Sequence, residues 1–253
     1  MSGSPAHERC GCAAARRSAV WLFDLDNTLH DASRAVFGFI DAAMNEYIER
    51  ELLLAPQEAD HLRRSYWHRY GATVLGLERH HGVRPAHFLE HTHRWPGLEQ
   101  RLSIDPRDRA ALRALPGRKF VLTNAPVDYA KRVLAALGLA ALFEGVIGIE
   151  GMRLFGHFRP KPDARMFRVV LARLKLRPAQ CVLVEDTLSH QRAARSLGLA
   201  TVWMQRYLWC NAQTPEVGAR LRRRPGYVNA RISSLQSLRG LPHARFDLAR
   251  TVG

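Results

Sequence analysis

Three observations predict an α/β fold with a doubly wound parallel sheet, interrupted after its first strand by a helical cap. From residue 119 onward, short apolar runs alternate with helical stretches, the pattern of a parallel sheet covered on both faces. Residues able to do chemistry fall at the carboxyl ends of the apolar runs, where open α/β sheets place their ligands. The stretch between the first run and residue 119 reads as helical and breaks that alternation.

The first strand is the apolar run Ala19, Val20, Trp21, Leu22, Phe23, and Asp24, Leu25, Asp26, Asn27, Thr28 follow it directly. Two carboxylates at i and i+2 on a strand exit can face one cavity, one attacking as a nucleophile while the other handles a proton. Taken alone, the same residues serve equally well as a polar strand-to-helix turn with a capping side chain. Three further pieces at the ends of later strands decide between these readings. Residues 119–122 end in Thr123 and Asn124, whose hydroxyl and amide donors suit a phosphate oxygen. Lys161 stands between Pro160 and Pro162, which stiffen the chain around a single cationic side chain. Residues 181–184 run into Glu185 and Asp186. Asp24, Asp26, Glu185 and Asp186 would repel one another at one sheet edge unless a divalent cation sat among them. Mg²⁺, which takes oxygen ligands and works with substrate phosphates, is the expected cofactor.

The remaining elements follow in order. Residues 35–53 carry Phe39, Ile40, Ala43, Met44, Tyr47 and Ile48 at helical spacing; Pro56 opens a second helix with Glu58 and Asp60 near its start, and Pro85 a third. Asp105 and Pro106 mark the return to the core. Strands and helices then alternate over 119–123, 127–137, 145–149, 163–174, 181–185, 188–197 and 200–203, with a last strand expected at 227–229 and a helix at 233–238.

In this order, the motifs resemble those of the haloacid dehalogenase-like hydrolase superfamily over residues 20–208. The resemblance implies a Rossmann-like core in which Asp24 is phosphorylated, Asp26 is general acid and base, and Thr123 and Lys161 orient the phosphoryl group. It also implies that Glu185 and Asp186 hold Mg²⁺ together with Asp24 and the backbone carbonyl of Asp26. Dehalogenating relatives lack the second aspartate, because a halide leaves without a proton, so Asp26 argues for a phosphatase. A branch with a cap lysine as Schiff-base nucleophile is excluded, since the lysines are Lys119, Lys131, Lys161 and Lys175 and none lies between Thr28 and Lys119.

Residues 70–77, with His80, His81, Gly82, Val83 and Phe88, resemble the cap of bacterial pyrimidine 5′-nucleotidases, as do Asn124, Ala125, Pro126 and Val184 to Thr187. That likeness implies hydrolysis of UMP and CMP to nucleoside and phosphate, with Asn124, Tyr70 and Thr73 at the substrate. The family pattern is broken at His190, where an Asn is usual. The alternatives are a phosphatase for another small metabolite, such as a sugar phosphate or phosphorylated cofactor, and, outside enzymes, a non-catalytic basic binding protein.

Composition fits one enzyme core with an insertion. The 253 residues are 47% apolar, and no apolar run approaches the ~20 residues that span a bilayer. The expected organisation is an extension without structure over 1–18, a core from 19–32 and 105–240, a cap over 33–104, and a tail over 241–253. The net charge of +15 comes mainly from arginine: four of the 38 basic residues are lysine and the other 34 arginine. Scattered arginine without interleaved aromatics points to solvated faces and attraction of an anionic substrate, not to nucleic acid. Four cysteines with no zinc or disulfide spacing fit a reducing cytoplasm. His80, His81, His87, His91 and His93 are expected on exposed helix faces and not as metal ligands.

Overall fold

The computed structural model describes residues 19–210 and 214–241. The expectations for 1–18 and for the tail beyond 241 lie outside the described residues.

Strand β1 (Val20–Phe23) is followed by a short helix, α1 (Ala32–Ala35), and then by the insertion: α2 (Phe37–Leu52), α3 (Pro56–Tyr70), α4 (Thr73–His81), α5 (Pro85–His93) and α6 (Leu98–Arg101). The chain returns through α7 (Pro106–Ala114) to β2 (Lys119–Leu122), α8 (Val127–Ala136) and β3 (Gly145–Ile147). A two-stranded antiparallel hairpin, β4 (Arg153–Leu154) with β5 (His157–Phe158), leads to α9 (Ala164–Arg173), β6 (Cys181–Glu185), α10 (Leu188–Ser196) and β7 (Ala200–Met204). Then come α11 (Arg206–Cys210), α12 (Pro215–Arg222) and β8 (Ala230–Ile232).

Among the described residues the main sheet has six parallel strands in the order β3-β2-β1-β6-β7-β8. The chain fills one side of β1 with β2 and β3, then crosses to the other side with β6, β7 and β8. The topological switch point therefore lies between β1 and β6, which is where such folds open a crevice beyond the strand ends. Strands β1, β2, β6 and β7 are buried, as their near-continuous apolar sequences require.

One face of the sheet packs Trp21, Phe23, Val121, Val182 and Val202 against Tyr129 and Val133 of α8 and Leu112 of α7. The opposite face packs Val20, Leu22, Leu122 and Leu183 against Phe167 and Val170 of α9. The insertion has its own cluster of Tyr47, Ile48, Ala59, Val74, Leu77, Phe88 and Leu89. Helix α2 joins the two bodies: Ile40 near its start belongs to the main core, and Tyr47 and Ile48 near its end to the insertion.

Local sequence explains the helix starts. Pro56, Pro85 and Pro106 occupy first-turn positions, where a missing N–H loses no intrahelical bond. Glu58 accepts the Ala55 N–H at 3.0 Å, and Asp105 accepts that of Arg107 at 2.8 Å. Gly71, with φ of 80°, ends α3 and permits the tight reversal into α4, because the left-handed region is open to glycine without steric penalty. The last strand is Ala230–Ile232, three residues beyond the expected 227–229, and 235–240 form a 3₁₀ helix in place of an α-helix. Asn229 makes the difference: its side chain accepts from the Thr201 N–H and its backbone N–H donates to the Thr201 carbonyl, which ties it to the entry of β7 before ladder pairing begins. Helix α4 carries His80 and His81, which the sequence places on a helix without bounds, and the β4–β5 hairpin has no counterpart among the predicted elements.

Candidate active site

The first carboxylate leaves β1 at the switch point. Phe23 pairs with Val184, and the Asp24 N–H donates to the Val184 carbonyl at 2.9 Å, so Asp24 lies beside Glu185. Leu25 and Leu29, both fully buried, pin the turn to the core. Asn27 takes a left-handed conformation, φ 56°, and exchanges two side-chain hydrogen bonds with Ser33. The turn is thus fixed by its polar residues and its apolar ones alike.

Lys161 enters from the opposite side. The Asn124 side chain clamps its backbone, accepting the Lys161 N–H at 2.9 Å and donating to its carbonyl at 3.0 Å. Across the loop, Arg159 pairs with Asp163, which also caps α9 through the Arg165 N–H. The Lys161 side chain is 1% exposed, and its Nζ stands 2.7 Å from both Asp24 Oδ1 and Glu185 Oε2. Burial opposes its charge, but those two carboxylates prevail and hold the ammonium above its ordinary range.

Glu185 has both oxygens engaged: Oε2 meets Lys161, with His190 Nδ1 at 3.1 Å, while Oε1 accepts the Thr187 N–H at 3.1 Å. Burial pushes its pKa up, yet Lys161 and His190 together bring it well below the usual range. Asp186 goes the other way. Burial first, then the charges of Glu185 and Asp24, raise it well above the carboxylate range, and Asp24 is raised chiefly by burial and by Glu185. Oxygens of Asp24, Glu185 and Asp186 lie within 4.8 Å of one another. Three carboxylates, buried at Asp24 and Glu185 and half-buried at Asp186, facing one ammonium are short of positive charge, and an all-oxygen donor set suits Mg²⁺. With both Glu185 oxygens taken, Asp24 and Asp186 have the capacity left for such an ion.

Thr123 is buried; its N–H donates to the Ile147 carbonyl and its Oγ1 accepts the Ala125 N–H at 3.0 Å, leaving the hydroxyl proton unassigned by these bonds. Asp26 Oδ1 accepts the Tyr129 hydroxyl at 2.8 Å and lies 3.0 Å from His30 Nε2.

The insertion residues sit differently. The Tyr70 hydroxyl pairs with His80 Nε2 at 2.6 Å, and its ring neighbours Tyr66 and His80. The Thr73 hydroxyl donates to the Arg63 carbonyl. Both hydroxyls are therefore engaged within the insertion and are not paired with Asp24 or Lys161. What reaches the loop is backbone: a Cβ on Gly71 would stand 3.6 Å from the Lys161 carbonyl oxygen. Of the histidines, His80, His81 and His91 are exposed as expected, but His93 is buried beside Tyr129, and burial lowers its pKa to about 4. Cys181 is a free, buried thiol whose pKa burial pushes up to about 12.

Sequence reasoning missed His30, Tyr129 and His93 around Asp26, and Gln191 and Trp203, which donate to the Glu185 and Asp186 carbonyls. His30 carried a weak signal, four residues after Asp26. Tyr129 is 103 residues away from Asp26 and carried none.

A carboxylate–lysine cluster at the switch point of a doubly wound parallel sheet is the arrangement of an α/β enzyme. The chain belongs to the haloacid dehalogenase-like hydrolases, whose family model matches residues 20–198. It is 28% identical over 196 residues to Phosphate metabolism protein 8 of Saccharomyces cerevisiae, covering 72% of this chain and spanning 60% of that protein's length. Among solved structures it superposes on a HAD phosphatase from Thermococcus onnurineus with a TM-score of 0.58 and 22% identity, over 88% of this chain and 96% of that one. It also superposes on CbbY from Rhodobacter sphaeroides in complex with phosphate, with a TM-score of 0.57 and 18% identity, over 87% and 96% of the two chains. The two structural likenesses show the shared fold. No helix among the described residues is long and apolar enough to cross a membrane.

Proposed function

We propose that this hydrolase is a Mg²⁺-dependent phosphomonoesterase that works through an aspartyl-phosphate on Asp24, with pyrimidine nucleoside monophosphates as its substrates. The observation that carries the phosphatase reading is the pairing of Asp24, held by Lys161 at 2.7 Å, with a second carboxylate, Asp26, two residues on. Asp24 attacks phosphorus in line. Lys161 and Thr123 orient the phosphoryl oxygens, and Asp26 protonates the leaving alkoxide, then takes a proton from the water that hydrolyses the intermediate. Asp24, Glu185, Asp186 and the Asp26 carbonyl would hold Mg²⁺, which would supply neutralisation of phosphoryl charge when bound.

Residues 33–104 act as the cap in this reading. The nucleotidase assignment rests on the likeness of 70–77 to pyrimidine nucleotidase caps and is supported by the approach of Gly71, just before α4, to the Lys161 backbone. With the Tyr70 and Thr73 hydroxyls engaged in the insertion, shape and α4 backbone groups do the selecting. The test is phosphate release from UMP, CMP, AMP, GMP and a sugar-phosphate panel, with EDTA and restored Mg²⁺. Pyrimidine nucleotides are expected to give the highest kcat/KM. Equal purine turnover, or a sugar phosphate as the best substrate, overturns the nucleotidase reading and leaves the phosphatase; full activity in EDTA overturns the metal assignment.

A further inference from the structure

Two buried side chains converge on a single oxygen of Asp26. Oδ1 accepts the Tyr129 hydroxyl at 2.8 Å and lies 3.0 Å from His30 Nε2. Tyr129 is 2% exposed and His30 1%. The Tyr129 hydroxyl donates, since the carboxylate oxygen it meets can only accept. The tautomer of His30 follows from its other nitrogen, since Nδ1 is buried and has no hydrogen-bond partner among the described residues. A proton on Nδ1 would leave an N–H without an acceptor and set two lone pairs, those of Nε2 and Oδ1, against each other. A proton on Nε2 gives Asp26 a second donor and leaves only a lone pair unmatched. Oδ1 then receives two hydrogen bonds, from α8 on one side and from the end of the Asp24–His30 turn on the other.

We propose that Tyr129 and His30 are positioning residues that commit Oδ1 of Asp26 as an acceptor, so that Oδ2 is the oxygen that carries the catalytic proton. This rests on the phosphomonoesterase reading. As the bond from Asp24 to phosphorus forms and the bond to the leaving oxygen breaks, the Oδ2 proton passes to the departing alkoxide. In the second step, water forms its bond to phosphorus, gives a proton back to Oδ2, and the bond to Asp24 breaks. A carboxyl anchored through one oxygen has its other oxygen fixed in direction, and proton transfer depends steeply on that direction. The Tyr129 ring is in turn held beside His93, with centroids 5.6 Å apart, and Trp95, 6.3 Å apart, so removal of the hydroxyl alone leaves a packed ring in place.

The test compares Tyr129→Phe, His30→Leu and His30→Gln with the wild type on an alkyl and an aryl phosphomonoester. It reads kcat/KM, which reports formation of the aspartyl-phosphate, the step in which the leaving group matters. Tyr129→Phe is expected to lower kcat/KM for the alkyl ester by roughly tenfold to a hundredfold and for the aryl ester by less than about threefold, because a good leaving group needs little protonation. His30→Leu should show the same asymmetry and His30→Gln, which restores an N–H donor, should recover most of the loss. Equal losses on both esters, or no loss on either, overturn the inference. If His30→Leu fails to fold, Tyr129→Phe and His30→Gln still decide it. A wild type that hydrolyses neither ester removes the phosphatase reading, and this inference falls with it.

Discussion

Replacing Lys161 by Met removes the ammonium shared by Asp24 and Glu185 while nearly keeping the volume. Its Nζ contacts two carboxylates at 2.7 Å and the side chain is buried, so the variant leaves those carboxylates uncompensated. Breaking a buried pair from one side destabilises by about 3–5 kcal/mol. In a domain of this size each kcal/mol moves the melting temperature by about 2–4 °C, so the variant should melt roughly 6–20 °C below the wild type at pH 7.5 in EDTA. Asp24 and Asp186 have raised pKa values, and loss of Lys161 raises them further. An acid with a raised folded pKa contributes stability below its unfolded pKa and loses it as pH rises through the folded value. The deficit of Lys161→Met should therefore narrow on going from pH 7.5 to pH 5.5, as the orphaned carboxyls take up protons. Circular dichroism melts at both pH values read this directly. A variant melting within about 3 °C of the wild type at pH 7.5, or a deficit that does not shrink at pH 5.5, refutes the reasoning.

Asp24→Asn should abolish phosphate release without lowering the melting temperature in EDTA, because an amide cannot attack phosphorus and the fold already disfavours the charged carboxyl; residual turnover in the pure variant would count against Asp24 as nucleophile. His93, lowered to about 4 from 6.5 by burial, contributes stability that is complete above pH 6.5 and is lost as pH falls from there to about 4. That shift is worth roughly 3 kcal/mol, so His93→Gln should flatten the melting temperature over this window, and an unchanged slope would show that another group controls it. Gly76→Ala puts a methyl group where the Tyr66 ring sits on α4, so despite the better helix propensity of Ala it should destabilise by about 1–3 kcal/mol, with relief when Tyr66 is also cut to Ala; denaturant melts of the single and double variants check this.

The sheet and the four motifs were legible because each is local. Strands 119–122, 181–185 and 200–204 are built on short apolar runs, and a parallel sheet places whatever follows such a run at one edge. Asp24, Thr123, Glu185 and Asp186 needed no knowledge of side-chain contacts to be grouped. The substrate-side residues were another matter. Asn124 looked like a phosphate ligand by type, yet both ends of its amide meet the Lys161 backbone. Tyr70 and Thr73 looked available, but a helix-to-helix turn brought His80 and the Arg63 carbonyl within reach of their hydroxyls. A hydrogen-bonding side chain takes whichever partner the fold brings near, and partners ten residues away or more leave no mark in the spacing. The displaced last strand has the same cause, since the Asn229–Thr201 bonds span 28 residues.

On the proposed function, the charge balance of the site sets binding against folding. Asp24, Glu185 and Asp186 face a single ammonium, and the raised Asp24 and Asp186 show that the folded chain resists ionising all three. On the proposed function, a phosphomonoester dianion entering beside them would meet excess negative charge, which the distant arginines would offset weakly through solvent. Closer compensation has to come from Lys161, already shared between two carboxylates, or from a cation held by Asp24 and Asp186. In the second case the cation and the phosphate each favour the other's binding by the same free energy, since coupling between two sites is reciprocal. On the proposed function, the carboxylates that repel one another at this site would be the groups that make phosphate binding conditional on the metal.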